Sequence, residues 1–330
     1  MPALSCGAVA RFLTLLTIEF SKSSKARQGV IIVTEELGTT QILLDLLDLD
    51  GEDRARTDED IFIGHTPKQS RTRVFGGQVL AQSVVAGSRT VPAGRAIHSM
   101  HGYFLRPGDA SQNITFGVQR LRDGRSFSAR RVHAYQNGVP ILSMIASFQE
   151  PASGLDHHDP VPFEVPAPET LRTTAEIIGK FDHPVAREWA YERPFDMRHI
   201  TEPVYLPGYD QHEPMAAVWM RTTAPMPDDP MLHRAALAYA SDYMLLEPVL
   251  RGHGVSWIHR GLSIASLDHA MWWHREFRAD EWLLYVLRSP SASSARGLGT
   301  GQVFNAAGEL VATVAQEGMV RLPEFLAEDE

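Results

Sequence analysis

The chain has 330 residues, 44% hydrophobic and 22% charged, the composition of an ordinary folded protein long enough for about two domains. Its formal net charge of -9 excludes the broadly basic surface that nucleic-acid binding needs, and its one cysteine excludes an internal disulfide or a Cys-rich zinc site. Glu19 interrupts the apolar stretch at residues 12–20, so no run reaches the roughly 18–20 residues that cross a bilayer; no stable membrane insertion and a cytoplasmic location are expected.

Residues 1–33 read as an extension outside the fold, because a short apolar run precedes the basic, Ser-rich patch at 21–27, the reverse of a signal peptide. At 35–49, Ile42, Leu43, Leu46 and Leu47 recur at helical spacing, with Thr39 or Thr40 available as cap. A second helix is expected over 78–89, directly after Gly76 and Gly77, with Val79, Leu80, Val84 and Val85 as its apolar positions. Strand formers then fill 97–105, 114–121, 126–135 and 139–149, and Asn137-Gly138 predicts a hairpin turn between the last two.

Pro160, Pro162 and Pro166 block regular structure after residue 150, so 151–207 is expected to link an N-terminal unit (34–150) to a C-terminal one (208–322), with an acidic tail at 323–330. The second unit opens on a strand at 216–221. Asp229 as cap and Pro230 at the first position then start a helix predicted to run to Leu246. Its sequence is apolar nearly all round, the mark of a buried helix. Strands follow at 256–259, 261–269, 282–289, 295–305 and 310–320. A buried helix with an antiparallel sheet, occurring twice, predicts two α+β units, each sheet wrapping its helix, joined edge to edge so that fewer edge strands stay exposed.

No G-x-S-x-G elbow, H-E-x-x-H or Walker A motif is present, and no metal or cofactor is expected. Gly297, Gly299 and Gly301 precede strand-like sequence rather than a cofactor helix and read as a closely approached strand. Asp242 is the most informative residue: its helical neighbours Ala238, Tyr239, Leu245 and Leu246 make an apolar face, where a carboxylate is either satisfied by its surroundings or functional. Strand alternation puts Ser266 on the face of Leu262 and Ile264, and Gln316 on the face of Leu310, Ala312 and Val314, both inward. One buried base with a hydroxyl and an amide is what orienting and deprotonating a water requires. His98, His101, His269 and His274 compete for the base role.

The sequence resembles the acyl-CoA thioesterase II family, bacterial double hotdog enzymes with peroxisomal relatives. The likeness spans about residues 39–321 and runs through Val74-Phe75-Gly76-Gly77-Gln78, His98-Ser99-Met100-His101-Gly102-Tyr103-Phe104-Leu105-Arg106-Pro107-Gly108-Asp109 and Arg122-Asp123-Gly124-Arg125-Ser126-Phe127-Ser128-Ala129-Arg130-Arg131. It continues in Tyr239-Ala240-Ser241-Asp242, Ala265-Ser266-Leu267-Asp268-His269, Ser291-Ala292-Ser293-Ser294-Ala295-Arg296-Gly297 and Gln316-Glu317-Gly318.

The resemblance implies a double hotdog fold, acyl-CoA as substrate, and a catalytic triad at Asp242, Ser266 and Gln316, with Ser266 standing where some members carry Thr. It also implies one working site per chain, consistent with a first helix that offers Gln78 and Gln82 but no carboxylate. The expected reaction is hydrolysis of fatty acyl-CoA by direct attack of water. The alternatives are an inactive acyl-CoA-binding protein or a hotdog enoyl-CoA hydratase, whose helix-borne Asp-His pair would need His where Glu247 stands. Gly76, Gly77, Gln78, His98, Arg122 and Arg125 are expected to contact substrate, with the Gly76-Gly77 amides as oxyanion donors and Arg71, Arg73, Arg122, Arg125 and Arg130 as candidate phosphate anchors. Assembly into a homo-oligomer is expected.

Overall fold

The computed structural model describes residues 38–51, 59–67, 72–205 and 212–323; the extension at 1–33, Arg71 and the tail from residue 324 lie outside the described residues. In chain order the elements are α1 (Thr39–Leu47), β1 (Asp50–Gly51), β2 (Asp60–Gly64), α2 (Gly76–Ser88), β3 (Ala96–Phe104), β4 (Ile114–Asp123), β5 (Phe127–Gln136), β6 (Val139–Gln149), α3 (Thr174–Ile178), α4 (Pro184–Arg187), β7 (Phe195–His199), β8 (Met215–Thr222), α5 (Pro230–Ser241), α6 (Glu247–Gly252), β9 (Ser263–Ser266), β10 (Asp268–Trp273), β11 (Leu283–Ser293), β12 (Arg296–Asn305) and β13 (Leu310–Arg321).

Among the described residues the strands form one antiparallel sheet in the order β1-β2-β4-β5-β6-β3-β10-β13-β12-β11-β8-β7, with β9 also paired to β13. The order is a mirror about its centre: β3, β6, β5 and β4 of the first repeat are answered by β10, β13, β12 and β11 of the second. Met100 of β3 lies opposite Met271 of β10 at the join, which removes one exposed edge from each repeat.

Each half wraps a helix. α2 is buried from Gly77 to Gly87, and Val79, Leu80, Val84 and Val85 sit against the sheet. Each such side chain stabilises the fold by about 2 kcal/mol. α5 is lined with Ala235, Ala236, Ala238 and Ala240, all buried. Small residues let the helices meet closely: a Cβ on Gly77 would stand 2.3 Å from the Tyr239 carbonyl oxygen. In β5, Ser128, Arg130, Val132, Ala134 and Gln136 alternate inward with the period of a strand. The Asn137-Gly138 turn has positive φ at both residues, 51° and 74°, as its sequence predicts.

Several local expectations are corrected. α1 is capped by neither Thr39 nor Thr40: its N-cap is Gly38, and both threonine hydroxyls bond instead to Thr223. α5 stops at Ser241 rather than Leu246. Asp242 is its C-cap, and Pro248, which has no N–H to give a continuing helix, lies in the first turn of α6. Residues 256–259 form a turn closed by the His259 N–H on the Ser256 carbonyl, not a strand. The single strand expected over 261–269 is broken at Leu267 into β9 and β10. Inside the 151–207 segment lies a strand the sequence reading did not anticipate, β7, paired to β8.

Candidate active site

Asp229 caps α5 by accepting from the Met231 N–H, and Pro230 occupies the first turn, as expected. The helix delivers Asp242 at its other end, against the start of α2. There the Gly77 N–H donates to the Asp242 carboxylate. Gly76 is glycine for a steric reason: a Cβ would stand 2.7 Å from Asp242 Oδ2 and 3.0 Å from the Phe104 ring. Asp242 as a residue is half-buried. The protein packed around it pushes its carboxyl up to about 6 by desolvation, against the opposing pull of hydrogen bonds from Gln316, Ser266 and Gly77.

The break at Leu267 is a β-bulge. Between the pairs Ser266–Gly318 and Ala270–Ala315, three residues of the β9–β10 side face two of β13. Residues 266 and 269 would face opposite sides of a regular strand. The extra residue turns both toward Gln316. Ser266 Oγ donates to Asp242 Oδ1 at 3.3 Å and accepts from Gln316 Nε2 at 2.8 Å. His269 Nδ1 lies 2.5 Å from Gln316 Oε1, and its Nε2 lies 3.0 Å from Ser241 Oγ. Gln316, His269 and Ser241 are all buried. Burial pulls the His269 imidazole down to about 4, so it is neutral at physiological pH.

Asp242, Ser266 and Gln316 therefore converge, with one carboxylate, one hydroxyl and one amide bonded in series. The glycine run lies behind them: a Cβ on Gly299, opposite Gln316 in the ladder, would stand 2.0 Å from the Leu245 carbonyl oxygen, the close approach that the sequence suggests. The competing histidines lie elsewhere or act differently. His274 bonds Thr313 through Nε2, and His101 packs edge-on to Trp272. Among the described residues no group of three or more His, Cys, Asp or Glu side chains is placed to hold a metal ion.

The other expected contacts divide. Gly76 and Gly77 are at the site, but the Gly77 N–H is engaged by Asp242. The Gln78 amide donates to Thr66 Oγ1 at 3.2 Å and is buried beside Gln82. His98 bonds Ser147 at 2.8 Å, on β3 and β6, the counterparts of the strands that carry His269 and Gln316. It is six residues up β3 from Phe104, about 20 Å at strand rise. Arg122 and Arg125 are exposed at the β4–β5 hairpin, beside that first-repeat pair and at the far end of β3 from the triad. Arg130 is no surface anchor: it is fully buried, pairs with Asp123 at 2.8 Å and donates to Thr90 and to the Arg122 and Ala129 carbonyls. Arg73 is exposed and bridges Asp109 through its backbone. Glu247 is buried on α6 and accepts from Trp257 Nε1 at 3.4 Å.

His269 as a partner of Gln316 is the contact that strand alternation hides. The signal in sequence is the break itself, Asp268 and His269 side by side where one polar residue would fit a half-buried strand.

Comparison with known proteins gives the family. The family model described as acyl-CoA thioesterase matches residues 190–319, and that described as acyl-CoA thioesterase N-terminal domain matches residues 65–149. The chain is 36% identical over 278 residues to acyl-CoA thioesterase 2 of Haemophilus influenzae, covering 82% of this chain and 95% of that one. It is 36% identical over 285 residues to human acyl-coenzyme A thioesterase 8, covering 83% and 88%. Among solved structures, acyl-CoA thioesterase II TesB2 from Mycobacterium marinum is similar at a TM-score of 0.68 and 41% identity, covering 87% of this chain and all of that one. A hot dog fold protein of unknown function from Alicyclobacillus acidocaldarius, at a TM-score of 0.68 and 20% identity, shares the fold. With two sheet-wrapped helices, and relatives matched along nearly their whole length, the chain belongs to the acyl-CoA thioesterase II family and is a double hotdog thioester hydrolase.

Proposed function

We propose that this enzyme hydrolyses fatty acyl-CoA to free fatty acid and CoA by direct attack of a water activated by Asp242 and held with Ser266 and Gln316. The observation that carries the reading is the bonded series Gln316 Nε2 to Ser266 Oγ to Asp242 Oδ1, ending on one desolvated carboxylate. A base with a pKa near 6 is mostly ionised at neutral pH yet basic enough to take a proton in the transition state, a contribution of about 10²–10⁴ in rate.

In this reading a water hydrogen passes to Asp242 as its oxygen bonds the thioester carbonyl carbon. The carbonyl electrons move onto oxygen, and the first free N–H of α2, that of Gly76, is the proposed donor to it, because the Gly77 N–H already serves Asp242. Collapse breaks the C–S bond, and the proton on Asp242 goes to the departing CoA sulfur. Ser266 is not the nucleophile: its hydroxyl points at a carboxylate, while the nearby imidazole of His269 faces Gln316. The domain division at 151–207, a cytoplasmic location and a homo-oligomeric state belong to the same proposal, and light scattering of the purified chain tests the last.

The test is rapid-mixing thiol release over fatty acyl-CoAs of graded length, with mass measurement of the intact protein during turnover. Linear release without a burst, and no acylated protein, is expected. A stoichiometric burst with an acyl adduct on Ser266, or no release from any acyl-CoA, contradicts the reading.

A further inference from the structure

Gln316 is held at both ends of its amide, and the polarity of the grip is fixed by what lies at each end. An ionised Asp242 has acceptors only, so the amide nitrogen must face it and Ser266, and the amide oxygen must face away. That oxygen lies 2.5 Å from His269 Nδ1. At such a distance the ring nitrogen must carry the hydrogen, since a bare nitrogen would set two lone pairs against each other. The ring is neutral, so Nε2 is an acceptor, and the one hydrogen of the Ser241 hydroxyl is shared between it, 3.0 Å away, and the Ala238 carbonyl, 2.9 Å away. The Ser241 carbonyl accepts from the Tyr285 hydroxyl at 3.1 Å, which ties this end of α5 to β11.

We propose that His269 is a positioning residue whose Nδ1–H fixes the Gln316 amide in the one orientation that aims its N–H at Ser266, Asp242 and the attacking water. This rests on the proposed role of the triad. Without a hydrogen from His269, a half-turn of the amide costs little on the His side and presents its oxygen to the Asp242 carboxylate, repelling the charge it should hold. The β9–β10 bulge is what gives His269 this role, because a regular strand would face it away from Gln316. In the first repeat the equivalent strands pair His98 with Ser147, a hydroxyl that rotates to suit either ring tautomer, so no such orientation is set there.

The test uses two variants of the full chain. His269→Leu fills the space without a donor, and His269→Asn keeps an amide nitrogen close to where Nδ1 stood. In His269→Leu, kcat falls by about 10–100-fold and KM by no more than about twofold either way, the pattern of a lost transition-state interaction. Its acid limb moves to higher pH, because Asp242 loses the Gln316 bond that lowers its pKa. The titratable group facing Asp242 from β11, Tyr285, has its pKa pushed well up by burial and stays neutral, so the limb reports Asp242. His269→Asn restores most of kcat and the wild-type limb.

If folded His269→Leu keeps wild-type kcat and pH profile while Asp242→Asn is inactive, His269 has no positioning role and the triad stands. Equal loss in both His269 variants, with an unmoved acid limb, marks a packing role and also overturns the proposal. If Asp242→Asn is fully active, the underlying reading fails first. Should His269→Leu not fold, nitrogen NMR of the wild-type imidazole decides: hydrogen on Nδ1 and none on Nε2 is expected, and the opposite tautomer contradicts the proposal.

Discussion

The N–H of Gly77, in the first turn of α2, donates to the carboxylate of Asp242 at the end of α5. A helix of one repeat thus holds the carboxylate carried by the other, and the positive end of α2 lies against a negative charge. The two glycines there serve different ends. Gly77→Ala puts a Cβ 2.3 Å from the Tyr239 carbonyl oxygen and should destabilise the fold by about 1–3 kcal/mol, read by chemical denaturation. Gly76→Ala meets Asp242 Oδ2 at 2.7 Å and should lower kcat far more than it lowers the melting temperature.

The activity should show an acid limb near pH 6. Asp242 must be ionised to accept a proton, and burial holds its pKa at about 6, so kcat/KM should fall tenfold per pH unit below that point. His269 stays neutral down to about pH 4 and does not set this limb. A limb near the ordinary carboxylate value would show that Asp242 is more solvated than its surroundings indicate.

The same shift has a cost in stability, with a definite sign. The folded-state pKa of Asp242 is raised above its ordinary 3.8, so its contribution is fully present below pH 3.8 and is lost as pH rises through 6. Asp242→Asn removes the buried charge. It should therefore raise stability at pH 8 by on the order of 1–3 kcal/mol, with the gain vanishing toward pH 4. Thermal melts across that range read it.

Arg122 and Arg125 should be dispensable. They are exposed at the β4–β5 hairpin, beside the first-repeat His98–Ser147 pair, so Arg122→Ala and Arg125→Ala should leave KM for acyl-CoA within about twofold of wild type. A tenfold rise would mean that the CoA moiety reaches across the join between repeats.

Local signals carried much of this molecule. Asn137-Gly138 and Asp229-Pro230 each fix backbone geometry within a few residues, and the structure uses each as its sequence suggests, while Gly76 and Gly77, expected just before α2, form its first turn. Asp242, Ser266 and Gln316 are legible because each is a polar residue on an apolar face. Non-local register hid the rest. The bulge at Leu267 exists only in pairing with β13, so the inward turn of His269 cannot be read from 261–269 alone. β7 sits in a proline-rich stretch and becomes a strand only by pairing with β8. Arg130, which resembles a surface cation in sequence, is buried because strand alternation aims it at Asp123 and Thr90.

Thiol release by wild type and by Asp242→Asn, each confirmed folded, decides whether this carboxylate is the base. The expected result is turnover of acyl-CoA by wild type and a loss of at least about 10²-fold in kcat in the variant. A folded Asp242→Asn enzyme that hydrolyses acyl-CoA at the wild-type rate would contradict the water-activating role given to Asp242, Ser266 and Gln316.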